Sequence, residues 1–221
     1  ELLRMTEDAA ANGLDITTEC YPYGAGMTQI DSALFDPGWQ DMAKVSYDAL
    51  LWPPTGEILN KALFDKYRAE GGFVVIHAIP ESSVAAAVAS PLTAIASDGF
   101  VREGAGHPRT AGCYARVLGR FVREDATISL MEAIRKSALM PAKRLEHRAP
   151  MFLRKGRIKV GADADLVAFD PMTVIDNATY QESALPSSGF EQVIVNGVLV
   201  VSDGKFQDDT FPGTAARAPI A

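Results

Sequence analysis

Two apolar runs carry the fold assignment: Phe73-Val74-Val75-Ile76-His77-Ala78-Ile79 and Leu92-Thr93-Ala94-Ile95-Ala96. Neither alternates polar with apolar residues. Such continuous runs suit strands buried on both faces, as in a parallel sheet. Pro80 closes the first, and the second passes directly into Ser97-Asp98-Gly99. Between them lies the alanine-rich helical stretch Glu81 to Ser90. The same alternation holds upstream. Glu57 to Glu70 reads as a helix with Ile58, Leu59, Leu63 and Tyr67 turned inward, and Gly71-Gly72 stops it. Leu2 to Ala11 reads as a helix with Leu2, Met5 and Ala9 on one face, ended by Asn12-Gly13. Leu14 to Tyr21 is rich in β-branched residues and reads as a strand. Three helix-then-strand units in succession predict an α/β fold with parallel strands and right-handed crossovers.

The stretch from about 28 to 56 breaks this rhythm. It is rich in glycine and proline, holds both tryptophans, and reads as an insertion or a functional loop. Beyond Asp98 a glycine-rich loop carries Arg102, His107 and Arg109. Ala111 to Val122 is helical in pattern, Ser129 with Glu132 forms a capping box, and Pro141 opens a further short helix. The pattern changes near Arg148. Gly156 to Gly161 and Ala164 to Asp170 read as short strands. Glu191 to Val195 and Val198 to Val201 flank Asn196-Gly197, a strong hairpin signal. Residues 1–147 and 148–221 are thus read as two units, the second a small β subdomain whose Pro/Ala/Gly-rich tail from Pro212 to Ala221 runs extended.

The 221 residues are 48% hydrophobic and 22% charged, which excludes collagen-like, disordered and disulfide-scaffold classes. A net charge of −7 argues against a nucleic-acid partner held by phosphate contacts. Cys20 and Cys113 form no CxxC motif and no disulfide framework, so a reducing, cytoplasmic setting is expected. The longest apolar stretch, Val84 to Ala96, is interrupted and too short to span a bilayer, so no membrane partner is expected. The chain opens on Glu1-Leu2-Leu3-Arg4-Met5, already within a helical pattern, so residues are expected to precede it.

Parallel strands place chemistry at their C-terminal ends. Asp98 lies there; its carboxylate either binds a metal or acts as general base, or it caps nearby amides in a turn. His77 sits in an apolar run, where a hydrogen-bonded core histidine is the plainer reading. Tyr21 and Tyr23 alternate in an extended segment and face opposite ways. Arg109 can clamp a carboxylate bidentately or form a surface ion pair. Three histidines and no His-x-His cannot complete a metal site of the usual kind.

Four stretches, taken in order, resemble one family. They are Tyr21-Pro22-Tyr23-Gly24-Ala25-Gly26, Ser97-Asp98-Gly99 with His107-Pro108-Arg109, Arg116-Val117-Leu118-Gly119 with Val122-Arg123-Glu124, and Gly161-Ala162-Asp163-Ala164-Asp165-Leu166-Val167 with Asp170-Pro171. Together they resemble the C-terminal half of the N-acyl-D-amino-acid deacylases (D-aminoacylases) of the amidohydrolase superfamily. The resemblance implies the last three strands of a (β/α)₈ TIM-type metal-dependent hydrolase barrel, followed by a share of a small β-sandwich. It implies zinc-dependent hydrolysis of N-acyl-D-amino acids with one or two Zn²⁺ ions, whose other ligands lie upstream of this chain. By the same resemblance Asp98 is the catalytic proton carrier and a candidate metal ligand, Arg109 binds the substrate α-carboxylate, and Tyr21 assists it. The family's serine falls at Met27. His77 matches no family role, and support of the metal ligands from behind is the reading for it. A homo-oligomer is compatible with all of this. The rival readings are a dihydroorotase- or hydantoinase-like cyclic amidase and a non-catalytic fragment that needs a partner chain.

Overall fold

A computed structural model describes residues 1–102 and 104–218. The last three residues of the tail predicted as extended, Pro219, Ile220 and Ala221, lie outside them. The first helix, α1 (Leu2–Ala11), ends at Asn12 with Gly13 in the left-handed region (φ 87°). The amide of Leu14 donates back to the Ala9 carbonyl, which closes the helix end that the Asn-Gly pair announces. The face bearing Leu2 and Met5 is exposed.

Next comes β1 (Thr18–Cys20), then β2 (Gly26–Gln29), α2 (Trp39–Ala43), β3 (Leu50–Trp52), β4 (Glu57–Ile58), α3 (Lys61–Glu70), β5 (Phe73–Ile76), α4 (Glu81–Ala89) and β6 (Thr93–Ile95). β1 pairs in parallel with β6, Cys20 opposite Ile95. This pair packs under α4 and the following helix, with Val84, Val88, Ile95, Cys113, Val117 and Phe121 in one core. Two of the predicted parallel strands are therefore neighbours.

The third expectation fails. β5 is the run Phe73-Val74-Val75-Ile76, but it lies antiparallel to both β2 and β3 in a separate sheet of order β2-β5-β3-β4. Its burial is as predicted: Val74 packs into a cluster with Ile30, Trp52 and Phe64, while Val75 joins Ala25, Met27 and Leu51 on the other face. A continuous apolar run reports burial on two faces and carries no information on strand direction. Three consecutive parallel strands are thus not present among the described residues, and the 28–56 stretch together with β5 builds the antiparallel unit.

Beyond β6 a short hairpin, β7 (Val101–Arg102) with β8 (Ala105–Gly106), leads into α5 (Arg109–Arg116). α5 continues without a break into a π-helical stretch, Val117–Glu124. Ser129 caps α6 (Leu130–Ile134), accepting from the Glu132 amide at 3.2 Å, as the capping box predicts. Pro141 stands in the first turn of a short helix, as its position predicts. It lies in α7 (Met140–Glu146), which continues from α6 through a π-helical stretch, Arg135–Leu139. The proline's missing amide falls just after that widened turn.

The last unit is one antiparallel sheet of order β12-β11-β10-β9, made of β9 (Leu166–Phe169), β10 (Phe190–Val195), β11 (Val198–Ser202) and β12 (Lys205–Phe206). Asn196 (φ 48°) and Gly197 (φ 77°) form the predicted hairpin turn. The stretch from Gly156 to Gly161 is irregular, contrary to its reading as a strand. Among the described residues no second sheet packs on this one to complete a sandwich. No helix is long and apolar enough to cross a membrane among these residues.

Candidate active site

The end of β6 turns sharply. The Ala96 amide donates to the Cys20 carbonyl (3.0 Å), and two residues later Asp98 adopts φ +45°, a left-handed conformation that aspartate tolerates better than most residues. Gly99 follows because a Cβ there would sit 2.5 Å from the Thr110 α-carbon. The turn therefore packs directly against the start of α5 and brings Asp98 to Arg109. Asp98 Oδ2 lies 2.8 Å from Arg109 Nη2, with the Asp98 side chain 71% exposed and that of Arg109 2% exposed.

Arg109 is the first residue of α5, and its guanidinium lies over the Tyr21 ring, 4.3 Å from its centroid. Its Nε and Nη1 are buried with no hydrogen-bond partner. Unpaired buried donors on a guanidinium are costly, and a carboxylate reaching the group would satisfy one of them with a charge-assisted hydrogen bond. Burial pushes the Tyr21 hydroxyl above its ordinary pKa, and the charge of Arg109 partly offsets this. Gly26 leaves room for that hydroxyl, which lies 3.2 Å from where a Cβ would be.

His107, present in the sequence motif without an assigned part, proves central. It is fully buried. Its Nδ1 accepts the Arg109 amide (3.0 Å), and its Nε2 faces the Ala25 carbonyl at 2.9 Å. These partners assign the neutral ring with hydrogen on Nε2. Burial, then the charge of Arg109, holds its pKa down at about 3, against an opposing pull from the Ala25 carbonyl.

The two tyrosines divide as an extended segment requires. Tyr21 faces Arg109, while Tyr23 is buried, its hydroxyl donating to Asp176 (3.1 Å) and its ring under the Arg116 guanidinium. Arg116 also pairs with Asp176 at 3.2 Å. His77 lies further off, on a cavity of 690 Å³ whose lining includes Tyr23, Ile79, Glu81, Arg116 and Tyr180. Its ring meets Tyr180 edge-on at 4.6 Å, and Tyr180 meets His107 at 5.1 Å. His77 is exposed, not part of the core as its apolar run suggests, and partial desolvation at the cavity wall lowers its pKa. Met27 lines a second cavity of 380 Å³ with Trp52, Phe73, Phe100 and Arg102.

The donor set does not make a metal centre. Among the described residues no three His, Cys, Asp or Glu side chains cluster in a way that could hold an ion. Asp98 offers one carboxylate, already paired with Arg109. A zinc ion is not held by these residues alone.

The profile of the amidohydrolase family matches residues 2–201. An N-acyl-D-glutamate deacylase of Alcaligenes xylosoxydans xylosoxydans is 32% identical over 87% of this chain and 40% of its own length. A D-aminoacylase of the same organism is 30% identical over 100% of this chain and 45% of its own. The solved N-acyl-D-glutamate deacylase of Bordetella bronchiseptica, complexed with zinc and a phosphonate mimic of the tetrahedral intermediate, superposes with a TM-score of 0.78. It is 28% identical and covers 98% of this chain and 45% of that one. The chain spans less than half the length of the curated relatives it matches.

Proposed function

The chain belongs to the amidohydrolase family, and from that premise we propose that it forms the carboxylate-anchoring half of an active site that hydrolyses N-acyl-D-amino acids. The observation that carries this reading is the buried guanidinium of Arg109, which lies over the Tyr21 ring with Nε and Nη1 unpaired. An N-acyl amino acid is an anion, and a desolvated arginine with donors left unpaired suits its α-carboxylate. The similarity to deacylases along the whole chain supports the same substrate class. Met27 stands where the family serine falls, so the carboxylate rests on Arg109 and Tyr21.

Asp98 is the proton carrier in this scheme. Its exposed carboxylate takes a proton from the attacking water and returns it to the departing amine. Its contact with Arg109 places the carrier beside the anchored end of the substrate. Zinc, when bound with ligands from outside the described residues, supplies a polarised carbonyl and an activated water. The parallel pair β1–β6 corresponds to two adjacent strands of a TIM-type barrel, and residues 148–221 to a share of the β-sandwich.

In the full-length enzyme, Arg109→Ala is expected to raise KM for N-acetyl-D-amino acids about tenfold or more and to leave uncharged N-acyl amines little affected. Asp98→Asn, a substitution that keeps the left-handed turn, is expected to lower kcat by roughly 10²–10⁴. A panel of N-acetyl-D- and L-amino acids beside hydantoins checks the class. Opening of the cyclic amides alone, or undiminished turnover by the aspartate variant, contradicts the proposal.

A further inference from the structure

We propose that His107 is a positioning residue that fastens Arg109 and Tyr21 into one anchor for the substrate carboxylate. The inference rests on Arg109 holding that carboxylate. Arg109 opens α5, so its backbone amide has no partner within the helix. His107 Nδ1 accepts that amide at 3.0 Å, across only two residues. From the opposite side of the ring, Nε2 donates to the Ala25 carbonyl at 2.9 Å, across 82 residues of sequence. Ala25 directly precedes Gly26, over which the Tyr21 hydroxyl lies. One imidazole thus bridges the start of the helix that carries Arg109 and the loop that carries Tyr21.

Three tyrosines keep the ring from turning. Tyr23 and Tyr180 meet it edge-on at 5.4 and 5.1 Å, and Tyr21 lies at 6.1 Å. Both nitrogens are committed to backbone groups, so the ring has no site left from which to exchange a proton with substrate. Its contribution is geometric. A guanidinium displaced by about 1 Å loses its match to a carboxylate.

The test uses the full-length enzyme and four variants. His107→Phe fills the space without either hydrogen bond, His107→Asn keeps an acceptor toward the Arg109 amide, and His107→Gln keeps a donor toward Ala25; Arg109→Lys is the fourth. The readout is the ratio of kcat/KM for an N-acetyl-D-amino acid to that for its α-carboxamide. His107→Phe is expected to lower this ratio about tenfold, with the loss falling on KM, and His107→Asn to restore most of it. Should the Phe variant fail to fold, the Asn and Gln variants decide, each expected to lie between the parent and Arg109→Lys. An unchanged ratio in folded His107 variants while Arg109→Lys lowers it overturns the inference and leaves the anchor standing. An unchanged ratio in Arg109→Lys overturns both. An equal loss on the two substrates would assign His107 to general packing and overturn the positioning role.

Discussion

His107 is uncharged in a place where water does not reach, and acid should expose that. Its folded pKa is about 3, against 6.5 for the free side chain. Between those values the unfolded chain takes up a proton that the folded chain refuses. Stability therefore falls as pH drops from about 6.5 toward 3 and is level above that window. A shift of this size corresponds to roughly 5 kcal/mol at the acid end. His107→Asn cannot titrate there. Its unfolding free energy, measured by urea titration from pH 7 to 4, is expected to fall less steeply than the parent's. Identical slopes would show that the native ring accepts a proton in place. The sequence reveals His107 only as part of a motif. Its two partners are a neighbour at two residues and a carbonyl 82 residues away, and no local pattern announces the second. Asp98 and Arg109 stand out more readily, because a strand end followed by glycine is a local feature. That they touch each other is a consequence of Gly99 and Thr110 packing, which only the fold supplies.

Among the elements, the joint between α4, β6 and the α6–α7 run depends on one buried lysine. Lys136 is fully buried. Its ammonium donates to the carbonyls of Val88 (2.7 Å), Thr93 (3.1 Å) and Ser90. These are the loose ends of α4 and the first residue of β6, which neither helix nor sheet can satisfy. Burial lowers the pKa of the amine. Lys136→Met keeps the apolar stem and removes all three hydrogen bonds, so a loss of about 3 kcal/mol or more is expected. A loss below about 1 kcal/mol in denaturant unfolding would mean that water replaces the ammonium. The same scale shows where sequence pattern reaches its limit. Helix ends at Asn12-Gly13 and Ser129, and the Asn196-Gly197 hairpin, are written in residues adjacent to one another and form as read. β5 was legible as a buried strand, since Val74 and Val75 are both fully buried. Its partners are chosen by β2 and β3, which lie 44 and 21 residues or more upstream and have no run of their own long enough to notice.

Across the whole molecule, the described residues leave much apolar surface uncovered. Among the described residues β1 and β6 pair only with each other, so each presents an open edge beside the candidate active site. No residue of β9, β10, β11 or β12 is buried, and Val167, Val198 and Leu199 are exposed on that sheet. On α1, Leu2 and Met5 also face outward. Open parallel edges and contiguous apolar faces drive association. The relatives carry more than half their length outside the matched region, which is enough polypeptide to cover both sheets and to bring further ligands to Asp98. Residues 1–221 taken alone are therefore expected to associate as their concentration rises and to bind a hydrophobic dye. Light scattering over a dilution series, with dye fluorescence alongside, checks this. A monomer at every concentration that unfolds cooperatively and binds no dye would show that the two sheets are stable in water as they stand. In that case the anchor built by Arg109, Tyr21 and His107 would be open to direct titration with an N-acetyl-D-amino acid, without any metal present.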